Sequence, residues 1–351
     1  MRSSSFPLPQ WAWAHGAPEV SGLLRVQLED FRVQELPTVK PGGEGTHLWL
    51  EIEKRNANTD WVAKQLSLSA GVPVRDVGFA GMKDRRAVTS QWFSVALQEA
   101  SDSAWQNWSW PDIRILQARL HTRKLKRGAL GGNRFHIVVR DLEGGIEGLE
   151  HLLTRASASG VPNYFGPQRF GHGGRNVEQG IRWLEHGGRL PRNKRSIYLS
   201  AVRSFLFNQV LSRRVELGNW NRIIDGDVAM LDGSRSTFAC RLPDLELEQR
   251  CDNFDIHPSG PLPGKSGVNP VGGSLRIEET MLEPHEKLID SLQKAGLKSS
   301  RRSLRLRPEN MEWMIEGGNL ALEFDLPPGA YATSLLRELV SLDSDTISEM
   351  Q

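Results

Sequence analysis

The stretch GFAGMKDRRAVTSQWFSV, Gly78 to Val95, sets one carboxylate, Asp84, between Lys83 and the pair Arg85 and Arg86. Two glycines, Gly78 and Gly81, allow close backbone approach just before it. Nearby cations favour the ionised form of an acid. A salt-bridged turn is one reading of this pattern. The other is a charged, accessible aspartate with no second Asp or Glu in its loop, which suits nucleophilic attack better than acid–base work by paired carboxylates.

The flanking elements must position that loop. THLWLEIEKR (residues 46–55) alternates Leu48, Leu50 and Ile52 with polar neighbours, as a half-buried strand does. NTDWVAKQLSLSAGVP predicts a helix capped by Thr59 or Asp60, apolar along Val62, Ala63 and Leu66, and stopped by Gly71 and Pro73. Val77 and Phe79 suggest a short strand, and AVTSQWFSV (residues 87–95) is rich in β-branched and aromatic residues. Asp84 then lies in a tight loop between two strands, where a rigid sheet edge can fix a reactive group. NRFHIVVRDL predicts a further strand through Phe135, Ile137 and Val139, and helical patterns cover 146–155, 177–186 and 197–217. SGVPNYFGPQRFGHGGRN (residues 159–176), dense in Gly and Pro, reads as a domain junction. Residues 219–300 mix short strands with loops. NLALEFDLPPGAYATSLLREL predicts a strand through Leu320, Leu322, Phe324 and Leu326, a Pro-Pro-Gly turn, and a helix from about Thr333. Strands before the junction and a strand–helix unit at the far end point to one domain interrupted by another.

A chain of 351 residues suits one large domain or two ordinary ones, and 38% hydrophobic residues suffice for a real core. The net charge is only +2, so any positive field must come from clustering. Three acid-free clusters supply it: HTRKLKR with Arg123, Lys124, Lys126 and Arg127; RLPRNKR at residues 189–195; and KSSRRSLRLR with Arg301, Arg302 and Arg305. Together they favour a phosphate-binding surface over three solvated faces. Cys240 and Cys251 form no paired motif, which suits a reducing, cytoplasmic setting. No signal peptide or membrane-spanning run is readable, so a soluble intracellular protein is expected. GPLPGKS is one residue short of a nucleotide P-loop and carries two prolines, and the histidines show no metal-ligand spacing, so no metal or nucleotide site is expected.

GFAGMKDRRAVTSQWFSV resembles the signature block of the tRNA pseudouridine synthase D family. EDFRVQE (residues 29–35), HTRKLKRGALGGNRF, GVPNYFGPQRFGHGGRN, RNKRSIYLSAVRSFLFNQ, DGD at residues 225–227, PLPG at residues 261–264 and LPPGAYATSLLREL also resemble family blocks, in the family's order. The resemblance covers about residues 20–345. It implies an α+β fold: a pseudouridine synthase catalytic domain with a mixed, largely antiparallel sheet (residues 1–157 and 309–351), interrupted by an inserted α/β family-specific domain (residues 158–308), with RNA in the cleft between them. It implies isomerisation of uridine 13 in the D arm of tRNA to pseudouridine, with tRNA as partner, no cofactor, no membrane and no obligatory protein partner. The family nucleophile falls on Asp84. Uridine-contacting positions fall on Phe31, Asn133, Phe135 and Tyr331, with Phe135 where other pseudouridine synthases commonly stack a tyrosine on the uracil. Arg25 stands where relatives often have lysine, and Tyr331 where phenylalanine is common.

The implied reaction breaks the N1–C1′ bond, turns the uracil and joins C5 to C1′. The carboxylate attacks either C6 of the base or C1′ of the ribose, and the sequence leaves both open. Phe31, Phe135 or Tyr331 would sandwich the extruded base. Lys83, Arg85 and Arg86 would keep Asp84 ionised and hold the phosphates of the flipped nucleotide. Two rivals remain at this point: an RNA N-glycosidase or nucleosidase using the same aspartate, and a non-catalytic RNA-binding protein.

Overall fold

Leu48, Leu50 and Ile52 are fully buried on one face of a strand, as their alternation predicts. The computed structural model describes residues 6–97 and 105–342. Along the chain run β1 (Ser21–Leu24), β2 (Phe31–Pro37), β3 (His47–Arg55), α1 (Thr59–Ala70), β4 (Val77–Phe79), β5 (Val88–Ala96), β6 (Ile113–His121) and β7 (Leu130–Glu143). Next come α2 (Ile146–Ser159), β8 (Val161–Pro162), α3 (Pro167–Phe170), α4 (Arg175–His186), α5 (Arg192–Glu216), β9 (Val228–Leu231) and β10 (Thr237–Ala239). The chain continues through α6 (Leu245–Asp252), β11 (Ile256–Leu262), α7 (Gly272–Leu282), α8 (Glu286–Lys294), β12 (Ser300–Ser303) and β13 (Arg305–Leu306). β14 (Glu309–Glu316), β15 (Asn319–Leu326), α9 (Ala332–Leu339) and β16 (Ser341–Leu342) follow.

These elements form two compact units. The first comprises Gly22–Glu143 and Glu309–Gly329; the second comprises Gly144–Pro308 with the described residues before 22 and after 329. The breaks between the units fall at 21/22, 143/144, 308/309 and 329/330.

The first unit is built on a sheet of order β14-β15-β7-β2-β5-β3-β6, with β4 beside β5 and β1 beside β7. The pairings among β2 to β7, β14 and β15 are antiparallel except β2 with β5, which is parallel. The fold is thus α+β with a mixed, largely antiparallel sheet, as expected. Directly paired residues share a face, so Val33, Thr89, Lys54 and Phe135 point the same way, as do Glu35 with Asn133 and Gln91 with Ile52. That face is apolar over most of its extent, where Leu48, Leu50, Phe93 and Val95 meet Val62 and Leu66 of α1. Toward one end it becomes polar, at Glu35, Lys54 and Gln91, all buried. α1 stops at Gly71, whose φ of 66° is left-handed and whose N–H returns to Ser67 and Leu68 carbonyls.

In the second unit Val202, Phe205, Leu206, Phe207 and Leu211 of α5 form the core with Tyr164, Phe170 and Leu304. α5 begins at Arg192, five residues before the predicted start, because RNKRS carries no apolar periodicity. Residues 219–300, unreadable as a pattern, contain β9 to β11 and α6 to α8. β11 has sequence IHPSGPL, two prolines and a glycine, and is buried almost throughout; such a strand gives no propensity signal. The sheet order here is β10-β9-β11-β12. Among the described residues no helix is long and apolar enough to cross a membrane.

Behind the DGD block, Arg214 grips Asp227 with two parallel bonds of 2.8 and 2.9 Å, with side chains 2% and 0% exposed. Ser274 Oγ (2.6 Å) and the Ile224 N–H (2.9 Å) also donate to Asp227. A satisfied buried pair is costly to break from one side only. Arg214→Met should therefore lower the unfolding free energy by about 3–5 kcal/mol, read as a fall in the urea midpoint. A shift under about 1 kcal/mol would show that the pair holds nothing together.

Candidate active site

Asp84 sits in the loop from β4 to β5. The backbone of this loop is tied down by buried polar side chains from three elements. Gln91 Nε2 donates to the Gly81 carbonyl (3.1 Å), and Gln91 Oε1 accepts from Thr59 Oγ1 (2.9 Å). Thr59 Oγ1 accepts in turn from the Lys83 N–H (3.0 Å). Lys54 Nζ donates to the Asp84 carbonyl at 2.7 Å. Thr59, predicted as a helix cap, is thus an anchor for the loop; the N-cap position is Asn58. Gly78 is required sterically, since a Cβ there would lie 2.3 Å from the Leu125 carbonyl, whereas a Cβ at Gly81 would meet nothing.

The side chains around Asp84 differ from the expectation in one respect. Lys83, its neighbour in sequence, turns inward: its side chain is 6% exposed, its Nζ bonds Asn133 Oδ1, and it lies 3.6 Å from Glu35 Oε2. Burial raises the Glu35 carboxyl above the usual carboxylate range, with the Lys83 charge opposing that shift. The ion-pair partner of Asp84 is Arg25, with Nη2 3.5 Å from Oδ2. Arg25 holds a left-handed backbone (φ 61°), and its guanidinium lies over the Phe31 ring, 4.0 Å from the centroid. The Asp84 side chain is 35% exposed. Arg85 and Arg86 are exposed beside it.

Phe31 and Phe135 belong to the sheet's inward face and are 2% and 7% exposed. Phe135 stacks on Phe324 (5.3 Å between centroids, 16° between planes) and meets Phe31 edge-on at 6.2 Å. Tyr331 lies in the other unit, directly before α9. There its hydroxyl bonds Arg169 and its ring lies 6.1 Å from Phe165.

The basic clusters separate by burial. Arg123, Lys126 and Arg127 are exposed on the first unit, in a loop pinned near the Asp84 segment: Gly128 N–H donates to the Ala80 carbonyl (2.8 Å) and Leu125 N–H to Ser94 Oγ (2.8 Å). Arg127 covers the Phe79 ring at 4.3 Å, and Lys124 bonds the Arg75 carbonyl. The third cluster needs correcting as a phosphate surface. Arg301, 5% exposed, is paired with Glu278 (2.5 Å) and bonds Ser259. Arg305, 4% exposed, donates to His257 Nδ1 (3.1 Å) and to the Cys251 (2.5 Å) and Ile256 (3.1 Å) carbonyls. These two guanidiniums already face internal acceptors. Arg302 bonds Asn163 and stacks over Phe165 at 4.2 Å.

Lys54, Gln91 and Glu35 were missed from sequence, although a signal existed. Two steps beyond Ile52 the inward position of β3 is a lysine, and the inward run Thr89, Gln91, Phe93, Val95 contains a glutamine. A polar residue on an apolar face asks for a partner.

The model of the family described as "tRNA pseudouridine synthase D" matches residues 11–181 and 176–339. The chain belongs to that family. It is 47% identical over 332 residues to a tRNA pseudouridine synthase D of Methylococcus capsulatus, with 94% of each chain covered. It is 45% identical over 334 residues to one of Nitrosococcus oceani, covering 94% of this chain and 93% of that one. Its fold is similar to the crystal structure of a candidate tRNA pseudouridine synthase D from Methanosarcina mazei, with a TM-score of 0.73, 23% identity, and 95% and 97% of the two chains covered. As a member of the tRNA pseudouridine synthase D family the chain is an enzyme, an isomerase of the pseudouridine synthase kind.

Two outcomes follow from the packing. Phe135→Ala should cost about 3–5 kcal/mol of stability, measured by urea unfolding; a loss of turnover with the urea midpoint unchanged would instead assign the ring to substrate alone. Burial pushes the Lys54 ammonium down from 10.5 to about 8, with the Asp84 charge opposing the shift and Lys83 adding to it. The folded chain releases this proton near pH 8, whereas the unfolded chain holds it to about pH 10.5. Unfolding free energy should therefore rise with pH across that window, by up to about 3 kcal/mol. Urea titrations should show this rise in the wild type and not in Lys54→Met; parallel curves would show that Lys54 keeps its proton.

Proposed function

We propose that this enzyme isomerises uridine 13 in the D arm of tRNA to pseudouridine in the cytoplasm, with Asp84 as the nucleophile. The observation that carries the reading is a one-third-exposed carboxylate on a loop whose backbone is fixed by Lys54, Thr59 and Gln91. The names of the relatives support tRNA as the substrate class. Residues 1–157 and 309–351 would be the catalytic domain and 158–308 the insertion.

Uridine 13 leaves its stack at a cost of a few kcal/mol. Arg85 and Arg86, beside the carboxylate, and Arg123, Lys126 and Arg127, on the pinned loop, offset this through phosphate contacts. Asp84 adds to C6 or C1′. The N1–C1′ bond breaks, the uracil rotates, C5 bonds to C1′, C5 loses its proton and N1 gains one, and the carboxylate is released unchanged. Arg25 spans Phe31 and Asp84, so it is the group that yields when the base approaches either. Lys83 and Asn133, bonded to one another, serve by holding the loop end to β7.

Asp84→Asn should abolish pseudouridine formation at position 13, mapped by carbodiimide labelling and primer extension, while the Kd for tRNA changes less than threefold. Appreciable residual turnover would reject the nucleophile. Intact RNA mass should stay constant during the wild-type reaction; loss of one uracil would make the enzyme a glycosidase.

A further inference from the structure

The first three turns of α5 repeat one interval. Arg192, Arg195, Ser196, Leu199, Ser200 and Arg203 stand three or four residues apart and so share a face of the helix. Serines at positions 196 and 200 leave space that larger side chains would fill, and Leu262 and Leu297 form the opposite wall. The result is a cavity of about 430 Å³ with three arginines and no acid among its lining residues. Its size lies within the range of small-ligand pockets.

The arginines differ in their attachments. Arg203 Nη2 is held by the Leu262 (2.7 Å) and Lys298 (3.1 Å) carbonyls and by Ser300 Oγ (3.0 Å). Its Nε is buried and has no acceptor among the described residues. Arg195 bonds the Ala295 carbonyl (3.0 Å), and both Arg192 and Arg195 are exposed. Guanidinium groups in such an array match a phosphate. Phe165 and Leu199 supply an apolar wall on which a base can lie. The cavity also adjoins Tyr331: Phe165 lies 6.1 Å from its ring, and Arg169 links Ser200 Oγ (2.7 Å) to its hydroxyl.

We propose that this cavity receives an unpaired nucleotide of the RNA substrate, with its phosphate on Arg192, Arg195 and Arg203 and its base against Phe165 and Leu199. The proposal rests on the preceding functional reading only in taking tRNA as the substrate. The RLPRNKR cluster, left without a role by the catalytic loop, thereby becomes part of substrate recognition.

The test uses the full-length enzyme and an unmodified tRNA transcript. Arg192→Glu with Arg195→Glu reverses two exposed charges. Ser196→Trp fills the cavity and leaves the charge unchanged. Circular dichroism and Tm verify that both fold. Each variant should raise Kd about tenfold or more, with the loss in KM rather than kcat. The double variant should also flatten the dependence of log Kd on log salt by about 0.7, the value for one single-strand phosphate contact. Unchanged affinity in both variants overturns the proposal. So does a loss confined to the charge variant, which would mark diffuse attraction in place of an occupied pocket. Asp84→Asn keeps the two readings apart: residual turnover there would remove the nucleophile and leave the affinity measurements standing.

Discussion

A lysine ammonium buried in the sheet, bonded to the backbone carbonyl of Asp84, is the contact on which the active loop depends. A carboxylate can be aimed only if its own backbone cannot wander, and this loop has too few apolar side chains to be held by packing. Instead Lys54, Thr59 and Gln91 carry hydrogen bonds from the sheet and α1 into the loop, each satisfying a group that would otherwise be buried and unpaired. The members rely on one another, since removal of one leaves its partner stranded. The apolar remainder of the same face, from Leu48 to Val95, supplies the stability that offsets this polar patch.

The frame was legible in the sequence where one face is apolar and the period is two. β3, β7 and β15 follow from alternation and β5 from its β-branched and aromatic residues, and Asp84 falls between β4 and β5 as expected. What alternation cannot supply is the partner of each polar group. Lys83 stands beside Asp84 in the chain but turns to Glu35 and Asn133, while Arg25, 59 residues away, reaches the carboxylate. A glycine-flanked loop leaves side-chain direction to tertiary contacts. β2 likewise places Glu35 inward, through pairings with β7 and β5 that only the assembled sheet defines.

Arginine is the residue type on which local reading fails most in the second unit. An acid-free run such as KSSRRSLRLR suggests a solvated cation cluster. Yet Glu278 comes from α7, and the carbonyls that accept from Arg305 come from α6 and β11. Every alternate position of a strand points inward, so charge density along the chain says little about surface charge. α5 shows the contrary case, in which spacing by three and four keeps arginines together on one face.

Phe324 of β15 stacks on Phe135 of β7, though 189 positions separate them in the chain and the whole segment 144–308 is made in between. During synthesis at about 5–20 residues per second, β7 must therefore wait many seconds with one edge unpaired and its aromatic face uncovered. The intervening segment has its own core and can collapse first. Such distant pairing is slow to form, and until β15 is made the nascent chain carries an exposed strand edge of the kind that invites wrong pairing.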